Sequence, residues 1–114
     1  MRRDEVWMGV WPNDPEKKER PLLIVSNNHR NQALHILDVI VVKLTSLYRG
    51  DGSAKVVNNF EDYVMTFKKP TIIRCGSIYS VEKLFLKRKI SQLSVAEIKE
   101  IDTRLKIVLN LHMS

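Results

Sequence analysis

Short apolar runs separated by turn chemistry set the pattern of this chain. Residues 5–11 alternate, with Val6, Met8 and Val10 on one side of an extended segment and Trp7, Gly9 and Trp11 on the other. Pro12 closes this strand, because proline brings no donor to a ladder. Leu22-Leu23-Ile24-Val25 is an unbroken apolar run, too short for a helix, and reads as a strand buried on both faces. Ser26-Asn27-Asn28 stops it with turn residues. Residues 37–45, rich in β-branched side chains, predict a second central strand. A third opens at Pro70, where a missing donor costs little, and runs to Cys75. Residues 54–57 and 63–67 read as shorter strands around a loop, and 81–84 as a short helical turn. Ser94-Val95-Ala96-Glu97 is a capping box opening the last helix. Val95, Ile98, Ile101, Leu105, Val108, Leu109 and His112 fall along one stripe of that helix. Many short strands with one late helix predict a small, strongly bent sheet.

The chain has 114 residues, which fits a single domain spanning 1–114 with a modest core. Its net charge of +6 and its isoelectric point near 9.6 point to an anionic partner, nucleic acid or acidic protein. Cys75 is the sole cysteine, so no internal disulfide forms, in keeping with a reducing, cytoplasmic setting. Asp4 and Glu5 follow Met1-Arg2-Arg3 where a signal peptide would turn apolar, and no apolar stretch reaches membrane-spanning length.

Candidate chemistry gathers at the strand ends. Pro21 pushes Arg20 into an extended conformation, so the guanidinium leaves the backbone at the mouth of a buried strand. It is either a cation held for a site or a solvated strand cap. The polar loop at 12–19 carries Lys17 and Lys18, able to touch phosphates or simply to solvate a connection. Thr45 and Ser46 end the second central strand with hydroxyls that can donate to a phosphate. Arg74, inside an apolar run, is costly to bury unpaired, so it faces either a carboxylate or a site. The loop at 27–33 carries Asn27 and Arg30. Its His29, with His35 beyond, has no Cys or carboxylate at ligand spacing, so no metal site is expected. Cys75 reads as a small buried hydrophobe, and Lys87-Arg88-Lys89 as a basic turn that is either solvated or set to track a nucleic-acid backbone.

The order of these signals resembles the MazF/PemK (Kid) toxins of bacterial toxin–antitoxin systems. Arg3-Asp4-Glu5-Val6-Trp7 is similar to their opening strand, and Arg20-Pro21-Leu22-Leu23-Ile24-Val25-Ser26-Asn27 to their Arg-Pro strand. Val39 through Thr45-Ser46 matches a strand ending in Thr-Ser. Ile72-Ile73-Arg74-Cys75, a basic turn and a final helix complete the order. The resemblance implies a mainly β, SH3-like small barrel with a C-terminal helix, forming a homodimer. It implies sequence-specific cleavage of single-stranded RNA, often mRNA, by 2′-hydroxyl attack, with no metal and no cofactor. Arg20 and Thr45 match the phosphate-contacting positions, and Arg74 matches the strand Arg implicated in catalysis in the Kid/PemK branch. Lys17, Lys18, Asn27, Arg30, Ser46 and Ser77 are the expected RNA contacts. The loops at 12–19, 27–33 and 48–53 are the candidates for base readout. An acidic antitoxin is the implied protein partner.

The match breaks at three places. The loop before Arg20 is short and lacks Gly-x-Glu-Gln. Gly76 stands where the family carries an acidic residue, and Ser77 stands where a Gln follows it. Glu19, next to Arg20, is then the candidate carboxylate base. Two alternatives share the fold: a non-catalytic module binding RNA or a peptide, and a CcdB-like gyrase poison. The C-terminal Leu111-His112-Met113-Ser114 does not resemble the CcdB end.

Overall fold

A computed structural model of the chain describes residues 1–11 and 14–112. The strand stop assigned to Pro12 and the last two residues of the C-terminal end lie outside them. The described elements are β1 (Glu5–Val10), β2 (Glu19–Ile24), α1 (Asn28–Gln32), β3 (Asp38–Ser46), β4 (Asp62–Thr66), β5 (Pro70–Glu82), a 3₁₀ turn (Lys83–Phe85), β6 (Leu86–Gln92) and α2 (Val95–Val108). The strands form one six-stranded sheet in the order β4-β5-β3-β2-β1-β6, with every neighbouring pair antiparallel. The expected mainly β fold with a C-terminal helix is therefore present.

Alternation along the central strands gives the sheet two cores, one on each face. Val6, Leu23, Val42, Leu44, Ile73 and Cys75 face α2 and pack with Ile101 and Leu105. Leu22, Ile24, Val39 and Val41 face the other way, against Val81, Leu86, Trp7, Trp11 and Phe85. This is why the Leu22–Val25 run has no polar position until its end. Each such side chain, fully buried, contributes about 1.5–3 kcal/mol. At Gly9 the second core packs tightly against the backbone. A Cβ there would lie 2.9 Å from Leu22 Cδ1, 2.9 Å from Leu86 Cδ2 and 3.1 Å from the Phe85 carbonyl oxygen.

The third strong strand does not stop at Cys75. β5 continues to Glu82 and pairs with β3 on both sides of one break. The register breaks once: Lys43 pairs with Arg74 but Val42 pairs with Ile78. Cys75, Gly76 and Ser77 thus form a bulge, which bends a strand long enough to serve both ends of the sheet. An ideal Cβ on Gly76 would lie 2.5 Å from Glu61 Oε1, so the Glu61 carboxyl rests on the glycine.

Other expectations are corrected. Residues 54–57 hold no strand, only a single bridge between Tyr48 and Ala54. The loop at 27–33 contains α1, capped by Asn27. Lys87-Arg88-Lys89 is not a turn but part of edge strand β6, where exposed charges discourage pairing with another sheet. The capping box of α2 is present in both directions, Glu97 N to Ser94 Oγ at 3.2 Å and Ser94 N to Glu97 Oε1 at 2.7 Å. Of the helical stripe, Ile98, Ile101, Leu105 and Val108 pack inward. Val95 and Leu109 are exposed, as is His112; Leu109 is the C-cap and His112 lies past the helix, so neither keeps its phase. Among the described residues, no helix is long and apolar enough to cross a membrane.

Candidate functional site

Arg20 stands one residue before Pro21 in β2, on the same face as Leu22. Leu22 pairs with Lys43. Extending that register by two residues sets Arg20 opposite Thr45, so strand geometry alone brings this cation and this hydroxyl to one face. Both line an open cavity of about 780 Å³, together with Lys43, Ser46, Lys55 and Lys69. Trp11 and Tyr79 add an aromatic wall, their rings edge to face at 4.7 Å between centroids.

The polar contacts within the cavity are few and directional. Arg20 Nε donates to Asp14 Oδ2 at 3.1 Å. The Glu16 amide, and then Arg20, hold the Asp14 carboxyl below its ordinary range. Lys55 Nζ donates to Thr45 Oγ1 at 2.6 Å. Partial burial lowers the proton affinity of Lys55 below that of a free lysine, and the charges of Arg74, Arg49, Lys43 and Lys69 lower it further. Among the described residues, the acids that line the cavity, Asp14 and Glu19, are each engaged by an arginine. What remains is a concentration of positive charge fitted to an anion.

The remaining candidates are dispersed. Glu19 lines the cavity, but its carboxylate accepts from Arg88 Nη1 at 2.6 Å. Arg74 is the cross-strand partner of Lys43 but does not line the cavity. Its guanidinium donates to Asp62 Oδ2 at 2.9 Å, and that carboxylate also accepts from the Asn58 amide at 2.9 Å. The carboxylate alternative for Arg74 is therefore realised. Lys18 pairs with Glu16 at 2.8 Å, and Lys17 is exposed with a positive φ of 54°. Neither lines the cavity. Asn27 is spent on capping α1, accepting from the Arg30 amide at 2.8 Å. Arg30 binds Asp38 at 2.6 Å, an acid that also accepts from the Ser80 hydroxyl. Ser77 sits in the β5 bulge. Cys75 is buried, and burial pushes its thiol up to about 12, which removes it as a nucleophile at neutral pH.

Sequence reasoning missed Lys43, Lys55, Lys69, Trp11 and Tyr79 as cavity residues. Parity was a usable signal for Lys43, which lies two residues before Thr45. Lys55 and Lys69 come from connections with no period to read. Among the described residues, no group of three or more His, Cys, Asp or Glu side chains gathers as a metal-binding cluster.

Fold and site together define a mainly antiparallel β protein with a C-terminal helix, whose central strands end in a cationic cavity. Residues 2–109 match the family of PemK-like, MazF-like toxins of type II toxin–antitoxin systems, and the chain belongs to that family. No curated protein matches it in sequence. Among solved structures it is similar to an endoribonuclease in complex with its cognate antitoxin from a mycobacterial species. That match has a TM-score of 0.76 and 24% identity, covering 100% of this chain and 99% of that one. A mycobacterial endoribonuclease matches with a TM-score of 0.75 and 23% identity, covering 100% and 95%. The Mycobacterium tuberculosis toxin MazF-mt6 matches with a TM-score of 0.67 and 17% identity, covering 95% and 98%.

Proposed function

We propose that this chain is a toxin that cleaves single-stranded RNA, mRNA included, at a preferred sequence and without a metal ion. The observation that carries this reading is the shared cavity of Arg20 and Thr45, ringed by lysines, with the carboxylates of Asp14 and Glu19 both engaged by arginines. RNA carries its own nucleophile. Attack of the 2′-oxygen on the adjacent phosphorus needs only proton transfer and stabilisation of the charge that builds on the phosphoryl oxygens. The planar fork of Arg20 and the hydroxyl of Thr45 are donors for that charge, held in place before the substrate arrives. Trp11 and Tyr79 offer faces on which unstacked bases can rest. Glu19 would take the 2′-proton after releasing Arg88. Arg74, fixed by Asp62, adds charge beside the cavity. The chain acts in the cytoplasm as a homodimer restrained by an acidic antitoxin.

Gly76, in the place of the family's acidic residue, favours a second reading, a module that binds RNA without cutting it. One experiment separates the two. Purified protein is incubated with a long single-stranded RNA in EDTA, and the ends are mapped. Cleavage leaving 2′,3′-cyclic phosphate and 5′-hydroxyl ends is the expected result. Retention of RNA without cleavage supports the binding module, and Mg²⁺-dependent cleavage with 5′-phosphate ends overturns the mechanism.

A further inference from the structure

The ribonuclease reading leaves one proton without a donor. When the P–O5′ bond breaks, the departing oxygen must be protonated, and an arginine, which holds its proton too firmly to give it up, is a poor source. Lys55 is placed differently from the other cavity cations. Its Nζ is fixed at 2.6 Å from Thr45 Oγ1, beside the expected phosphate position. Its backbone is fixed too. Lys55 N donates to the Leu47 carbonyl at 2.8 Å, and the turn before it is closed by Arg49 N to Ser53 O at 2.7 Å and by the Tyr48–Ala54 bridge. The ammonium is thus held by a closed loop over the end of β3, facing the hydroxyl in the cavity.

We infer that Lys55 is the general acid of this site, donating an Nζ proton to the 5′-oxygen of the nucleotide that leaves. The inference rests on the ribonuclease reading. In the step, the O2′–P bond forms, the P–O5′ bond breaks, and the proton on Nζ passes to O5′. Glu19, released from Arg88, takes the 2′-proton and passes it to solvent, and Lys55 recovers one from solvent, so the transesterification is proton-neutral. Desolvation first, and then the charges of Arg74, Arg49, Lys43 and Lys69, favour loss of that proton, the direction that suits a general acid. Thr45, hydrogen-bonded to Lys55, keeps the donor aimed while its own proton stays free for a phosphoryl oxygen.

The test uses the leaving group. The preferred cleavage site is first mapped on a long RNA. An oligoribonucleotide of that sequence is then made in two forms, with the natural 5′-oxygen or with a bridging 5′-sulfur, which departs as a thiolate without protonation. Lys55→Arg keeps the positive charge but is a poor proton donor, and Lys55→Met removes both. Lys55→Arg should slow cleavage of the oxygen substrate by about 10²-fold or more, leave KM near the wild-type value, and cleave the sulfur substrate within about threefold of wild type. Lys55→Met should raise KM as well, yet recover turnover on the sulfur substrate. Circular dichroism checks that each variant is folded. An equal defect on both substrates, or none on either, overturns the assignment while leaving the ribonuclease reading intact. A wild-type chain that leaves the long RNA uncut at the mapping step overturns the ribonuclease reading, and the role of Lys55 with it.

Discussion

Arg20 meets Asp14 before it meets any phosphate, and the 3.1 Å contact restrains a side chain that is otherwise 44% exposed. An exposed pair of this kind adds little stability, so its value lies in orientation. Arg20→Ala should therefore leave folding intact and slow RNA cleavage by about 10²–10³-fold, read as kcat on a mapped oligoribonucleotide. Arg20→Lys should recover little, because a point charge cannot present two parallel donors. Cleavage by Arg20→Ala at the wild-type rate would remove it from the mechanism. At this scale the sequence was legible where backbone chemistry acts over one or two residues. Arg20 before Pro21 and Thr45 at a strand end were readable. Glu19 was proximate to Arg20 in sequence and lines the same cavity, but its carboxylate went to Arg88, a partner 69 residues away that no local spacing shows.

β1 and β6 are held against each other through Gly9, where the sheet and the Phe85–Leu86 segment leave no room for a methyl group. Two of the three near atoms belong to leucines in a packed core, and the third is backbone. Gly9→Ala should therefore cost about 1–3 kcal/mol, measured as a lower urea midpoint at unchanged m-value. A midpoint equal to wild type would show that β6 shifts freely. Elements with strong periodicity or a terminal signature were legible: the central strands and α2 with its capping box. The continuation of β5 beyond Cys75 was not, because Gly76 and Ser77 look like a stop when they are in fact a bulge. β6 was hidden by its charges, since an edge strand need not alternate apolar and polar positions. α1 is too short for a 3.6-residue period to show.

For the molecule as a whole, the excess of positive charge acts at a distance. Part of it gathers around one cavity, and an acidic, largely disordered antitoxin segment would be drawn to the same place as RNA. Binding of the two should be mutually exclusive, and the association rate of the antitoxin should fall as salt rises. Stopped-flow association at several ionic strengths, with and without a single-stranded RNA competitor, tests both. A bound antitoxin that left RNA affinity unchanged would place it on another surface. The family was legible in the sequence because it is written in the order of strands. The cavity was less so, since Lys43, Lys55 and Lys69 converge only after β3, the turn at its end and the β4–β5 connection are folded together.

The contact between Gly76 and Glu61 bears on how this chain could change by mutation. The Glu61 carboxyl already occupies the space that a side chain at position 76 would enter. Installing an acid by Gly76→Asp would push the flexible Glu61 arm aside at small steric cost, but it would set two negative charges side by side. The same change made after Glu61→Ala meets open space and a single charge. Their effects on stability should then be non-additive by about 0.5–3 kcal/mol, with the double variant more stable than the sum predicts. Position 76 would thus accept an acidic residue readily only in lineages that had first lost the one at 61.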